Sequence, residues 1–250
     1  MPRSHWIVTT LAVAALCSSA GRAPAAGNQL VAVGDSTQSS GRESAPQPSL
    51  AIDAVLPAQE RQALQIAQEN GDRDFIMIDK ELGRIVVFHD GEPAWTGATL
   101  TGESPLDSYS LAVLALPESH KFTTLEKITP AGRFTVRRTE DDVEGTVLEL
   151  AEVHGNGWYL ALHRVFTGTP SEHRMQRLAS SDPADKHITF GCINVSVETM
   201  RYLTTHLPKR DKTPLYILPM DQSLTSSLLA LGKTAADMTA AVAQPKQHRR

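Results

Sequence analysis

Beyond residue 74 the apolar pattern runs in short β-type stretches broken by turn signals, without the regular strand–helix alternation that a parallel doubly wound sheet requires. Residues 75–79 (FIMID) and 84–88 (RIVVF) flank a turn at Glu81, Leu82 and Gly83, and Asp90 with Gly91 marks the next turn. Further strand candidates fall at 133–137, 146–153, 158–163 and 214–218. One helix candidate, 197–207, interrupts them. Another precedes them, where Ala63, Leu64, Ile66 and Ala67 give an apolar side between Pro57 and Asn70-Gly71. No internal repeat is visible. The expected class is mainly β with a few helices.

The flanks read differently. Arg3, an apolar run at 6–16 and the small residues that follow have the form of a secretory signal, with candidate cleavage after Ala20 or Ala25. Leu16 is too bulky for lipoprotein processing at Cys17, so no lipid anchor is expected. Residues 34–49 are rich in Ser, Gly, Gln and Pro, the composition of a linker. The expected organisation is a signal peptide at 1–26, a disordered linker at 27–50, an N-terminal helix within 51–73, a folded domain at 74–219, and a helix or tail at 220–250. No later stretch is apolar enough to span a bilayer, so no stable membrane insertion is expected. The net charge of −4, with no basic stripe interleaved with aromatics, argues against nucleic acid as a partner.

Removal of the signal would leave Cys192 as the only cysteine. In an oxidising compartment such a thiol is either an inert buried residue or a nucleophile. A nucleophile needs a base and donors for the developing oxyanion. Gly191 lets the backbone approach closely, and main-chain N–H groups at Gly191 and Cys192 are candidate donors. Among nine histidines, His163 ends an apolar strand candidate and can be carried from core to rim. His173 and His187 lie nearer in sequence, in polar surroundings. Other chemistries lack support: there is no His-Glu-x-x-His, no Cys-x-x-Cys, no Gly-x-Ser-x-Gly elbow and no phosphate loop, so neither a metal nor a cofactor is expected. Glu140, Asp141, Asp142 and Glu144 read as a solvated acidic turn.

These residues resemble a known family. The run at 189–194 (TFGCIN) is similar to the signature of the L,D-transpeptidase (YkuD-type) domain, Ser/Thr-His-Gly-Cys followed by an apolar residue and Asn or Arg. The hairpin at 75–88, the run TPAGRF at 129–134 and strand-end His163 agree with it, over roughly residues 74–219. Phe190 replaces the usual histidine and can make no polar contact from that position. The gap from His163 to Cys192 is longer than usual, which keeps His173 as the runner-up for the base.

The resemblance implies a YkuD-like β-sandwich with a helix after the cysteine segment. It implies an exported, periplasmic cysteine acyltransferase without cofactor, whose partners are donor and acceptor stem peptides of peptidoglycan. Cys192 would be the nucleophile and His163 the base. Gly191, Thr189 and Asn194 would support the oxyanion, and a carbapenem adduct at Cys192 is expected. Phe190, Arg174 and Arg177 are weaker candidates for binding substrate. A hydrolase of the same fold and a non-catalytic wall-binding module are the alternatives.

Overall fold

The computed structural model describes residues 56–141, 143–207 and 212–229. The expected signal peptide and linker, and the C-terminal segment beyond residue 229, lie outside the described residues. Among those described, no helix is long and apolar enough to cross a membrane.

Among the described residues nine strands carry the fold: β1 (Phe75–Asp79), β2 (Arg84–His89), β3 (Glu92–Gly102), β4 (Gly132–Asp141), β5 (Gly145–His154), β6 (Tyr159–Arg164), β7 (His187–Thr189), β8 (Ile193–Val195) and β9 (Thr213–Ile217). Among the described residues five α-helices accompany them: α1 (Ala58–Glu69), α2 (Leu111–Leu114), α3 (Arg174–Ala179), α4 (Val197–His206) and α5 (Thr225–Leu229). The strand order is β2-β1-β9-β4-β5-β6-β8-β3-β7, and β2 also pairs with β3. The expected β-rich fold is therefore a sheet closed on itself through eight strands, with β7 added on the far end of β3. Closure leaves few unpaired edges.

The two-residue period of each strand divides the core in two. Ile76 and Ile78 of β1 join Ile85, Phe134, Leu148, Leu162, Ile193 and Ile217 inside the closed sheet. Phe75 and Met77, pointing the other way, join Phe88, Tyr216, Ala63, Ala67 and Leu229 beneath α1 and α5. The rings of Phe75 and Phe88 stack at 4.3 Å. Both faces of β1 are therefore buried, which is why its sequence shows no polar alternation before Asp79.

β3 links three neighbours. Its first half pairs with β2, Thr99 and Leu100 pair with β8, and Thr101 and Gly102 pair with β7. α4 begins five residues after Cys192, capped by the Ser196 hydroxyl accepting from the Thr199 N–H at 3.0 Å. β6 and β8 run parallel, setting Leu162 opposite Ile193 and His163 opposite Asn194. Leu162 and Ile193 point into the core, so His163 and Asn194 share the outer face of the sheet.

Candidate active site

Cys192 sits, half-buried, at the end of a turn that its own side chains fasten. The Thr189 hydroxyl accepts from the Gly191 N–H at 3.1 Å and donates to the Cys192 carbonyl at 2.6 Å. From behind, the buried Thr129 hydroxyl donates to the Gly191 carbonyl at 2.7 Å and accepts from the Gly102 N–H at 2.8 Å. Thr129 is tethered in turn, because Lys80 Nζ donates to its carbonyl at 2.9 Å and pairs with Asp107 at 2.5 Å. Gly191 has φ +129°, and a Cβ there would lie 2.5 Å from the Ile128 carbonyl oxygen and 3.0 Å from the Tyr109 hydroxyl. Only glycine fits. Tyr109 and Ile128 also line an apolar cleft of about 620 Å³ with Leu111, Val113 and Leu125.

The Gly191 N–H is thus spent on Thr189 and is not a free oxyanion donor, although the sequence made it a candidate. The Cys192 N–H donates to no group among the described residues, and it remains available. The role of Gly191 is conformational.

On the outer face of β6 and β8 a chain of polar contacts runs through His163, which is buried. Arg174 Nη1 donates to Asn194 Oδ1 at 2.9 Å, and Asn194 Nδ2 lies 3.0 Å from His163 Nε2. His163 Nδ1 lies 3.3 Å from Glu144 Oε2 but is not aligned for a hydrogen bond, and has no other partner. Arg174 is itself held by Glu172, at 2.6 Å from Nε, and lies over the Phe166 ring at 5.6 Å.

Burial pushes the Cys192 thiol up, with the Ala161 main chain pulling it back; Glu144 and Asp141 raise it further and Arg174 lowers it. Burial pushes the His163 imidazole down, against the upward pull of Glu144. Desolvation disfavours the charged form of each group, so at neutral pH the resting pair is a thiol and a neutral imidazole.

The YkuD family model, described as the L,D-transpeptidase catalytic domain, matches residues 73–217. The chain belongs to this family. No curated protein sequence matches it. Among solved structures it is similar to an L,D-transpeptidase from Xylanimonas cellulosilytica (16% identity, 61% of this chain and 68% of that one, TM-score 0.35). It is also similar to a mutant Enterococcus faecium L,D-transpeptidase (14%, 59% and 50%, TM-score 0.35) and to an L,D-transpeptidase from Mycobacterium smegmatis (16%, 58% and 58%, TM-score 0.32). The chain spans about half the length of the Enterococcus protein.

Within this YkuD domain the sequence-derived candidates separate into groups. Thr189 and Gly191 meet Cys192 within its turn, and Asn194 meets His163 across the β6–β8 pair; among the described residues no hydrogen bond joins the Cys192 thiol to His163. His173 stands exposed at the head of α3 with φ +51°, and its ring makes no hydrogen bond among the described residues. Phe190 is 54% exposed, with Lys127 Nζ 4.3 Å from its ring centre. Arg177 serves the fold locally, bonding the Glu172 carbonyl at 3.1 Å. Arg174, weighed as a substrate contact, has Nε and Nη1 already engaged inside the protein.

Two residues escaped sequence reading. Glu144 belongs to the acidic turn read as solvated, yet its carboxylate faces His163. The turn is built by Asp141, whose Oδ1 accepts from the Val143 and Glu144 N–H groups at 2.8 and 2.9 Å. Thr129 gave a motif match but no hint that its hydroxyl supports Gly191.

Proposed function

We propose that this YkuD domain is an exported, periplasmic cysteine acyltransferase that cross-links peptidoglycan stem peptides, with Cys192 as nucleophile and His163 as base. The observation that supports this reading is half-buried Cys192 on a turn fastened from two sides, directly before the strand that pairs with the one carrying buried His163. A nucleophile held this rigidly loses little entropy on reaching an attacking geometry.

Cys192 Sγ attacks a stem-peptide carbonyl while His163 takes the thiol proton. The Cys192 N–H stabilises the oxyanion. The C–N bond then breaks, the amine leaves with the proton that His163 delivers, and a thioester remains. A diaminopimelate amine of a second stem attacks the thioester, its proton passes through His163 to the departing sulfur, and the free thiol is restored. No metal or cofactor takes part in this scheme.

The test incubates the protein, lacking residues 1–26, with stem tetrapeptides and weighs the products. A cross-linked dimer with wild type and none with Cys192→Ala is expected. Shortened monomers alone would replace the transferase with a hydrolase. Binding to sacculi with no product would replace it with a wall-binding module. A carbapenem adduct at Cys192, absent from the alanine variant, is expected from the same preparation.

A further inference from the structure

Arginine only donates hydrogen bonds, so the Asn194 amide must turn its oxygen toward Arg174. That leaves Asn194 Nδ2, also a donor, facing His163 Nε2 at 3.0 Å. Nε2 must then be the bare, accepting nitrogen. The ring proton of the neutral imidazole is therefore on Nδ1, the nitrogen that looks at Glu144 Oε2 from 3.3 Å. Each contact dictates the next, and the chain starts at an arginine that cannot lose its charge.

We propose that Arg174 and Glu144 are positioning residues that together hold resting His163 in the Nδ1–H tautomer, in which Nε2 is unprotonated and accepts the Asn194 N–H, so that the Asn194 amide must yield Nε2 before the ring takes a proton there. The inference deepens the proposed function, resting on His163 as the base of that reaction. Glu144 Oε2 stands 3.3 Å from Nδ1 without a hydrogen bond, and its charge favours the protonated ring. Arg174 acts one residue further away, through Asn194.

Each positioning residue is anchored by the fold. Arg174 is the first residue of α3, and its side chain is only 9% exposed. The other end of α3 is fastened by Lys186, whose Nζ donates to the carbonyls of Arg177 and Leu178 at 2.9 Å and of Ser180 at 2.5 Å. The Lys186 stem lies against Gly83 so closely that a Cβ there would sit 2.1 Å from its Cγ. The β1–β2 turn thus sets the position of α3, and α3 delivers Arg174 to Asn194. Glu144 is placed by the tight β4–β5 turn that Asp141 caps. The segment between His163 and Cys192 therefore contributes to the site through Arg174.

The charged groups acting on His163 are Glu144 and Asp141 from the β4–β5 turn and Arg174 from α3. Arg174 and the two carboxylates act on it with opposite sign. The readout must therefore report the tautomer as well as activity.

The experiment records ¹⁵N spectra of ring-labelled histidine in the chain lacking residues 1–26, with His163 assigned by its loss in His163→Gln. Wild type is expected to show a protonated, pyrrole-type Nδ1 and a pyridine-type Nε2. Arg174→Ala is expected to mix the two tautomers, and Arg174→Lys, which keeps one donor and the charge, to restore part of the wild-type signature. Glu144→Gln is expected to keep the Nδ1–H form while lowering the pH at which His163 protonates. Unaltered near-UV circular dichroism shows that a variant has folded. If Arg174→Ala alone unfolds, the comparison of Arg174→Lys with wild type decides. Nε2–H in wild type, or unchanged ring shifts in folded Arg174 variants, would overturn the inference. A wild-type spectrum as expected in a protein that forms no cross-link would refute the proposed function and leave the tautomer assignment standing.

Discussion

Glu60 offers the sharpest test of the packing outside the matched YkuD region. It lies on the inner side of α1 with its side chain fully buried, and neither carboxylate oxygen makes a hydrogen bond. The nearest countercharge is Arg84 Nη2, 3.3 Å from Oε2. Burial raises its carboxyl from 4.5 to about 7, Arg84 restrains the rise and Asp79 adds to it. A shift of this size is worth about 3 kcal/mol, at roughly 1.4 kcal/mol for each pKa unit.

The sign follows from proton linkage. The folded carboxyl holds its proton more tightly than the unfolded one, so its contribution is fully present below pH 4.5 and is lost as pH rises toward 7. Glu60→Gln keeps the shape and cannot ionise. Arg84 is 29% exposed and can keep its charge solvated without the carboxylate. The variant should therefore match wild type to within about 1 kcal/mol at pH 5 and exceed it by about 3 kcal/mol at pH 8. Urea unfolding at the two pH values measures the difference. A variant less stable than wild type at pH 8, or a gap that does not change between the two values, would refute the account of a desolvated carboxylate.

Two further outcomes concern the cysteine turn. Gly191→Ala should cost about 1–3 kcal/mol in backbone strain alone, read by thermal melting, and should abolish the carbapenem adduct by displacing the turn, since its Cβ would press on the Ile128 carbonyl. Because burial pushes the Cys192 thiol up, its alkylation by iodoacetamide should rise with pH and inflect above the value of a free thiol; an inflection below that value would show a pre-formed thiolate instead.

How far the sequence reached depends on what each segment buries. Both faces of β1 are apolar, and the pairs β1–β2 and β4–β5 are joined by turn residues, so 75–79, 84–88, 133–137 and 146–153 were legible as strands, while the end of β4 at 138–141 was not. β3 was not legible. It carries Gly97 and Gly102 where α4 and the Lys127 carbonyl come too close for a Cβ: a methyl would lie 2.8 Å from Thr199 Oγ1 at one and 2.2 Å from that carbonyl at the other. Those glycines erase the β-propensity of the strand that links β2, β8 and β7. α3 escaped as well, because its first residue follows a left-handed His173 and its C-terminal cap is a lysine from a later turn. TFGCIN pointed to the family, since that signature lies within one short run of residue types. Glu144 was invisible because acidic residues in a hairpin tip look alike, and only the β5–β6 pairing decides which one faces His163.

The electrostatics of the site bear on how the proposed chemistry starts. Burial drives the thiol up and the imidazole down, so the free protein carries no ready-made thiolate–imidazolium pair. Attack must then coincide with proton transfer to His163, which makes the basicity and tautomer of the ring count at the barrier. Glu144 favours the imidazolium and disfavours the thiolate, because one carboxylate acts on both groups. Arg174 has the opposite effect on each. With the two charges flanking the pair, the resting state remains neutral, yet a proton moving from sulfur to ring leaves the new negative centre under the influence of Arg174 and the new positive one beside Glu144. A substrate carbonyl that draws negative charge from sulfur onto an oxygen near the Cys192 N–H relieves the repulsion between thiolate and Glu144, so this arrangement favours the tetrahedral intermediate over the bare ion pair.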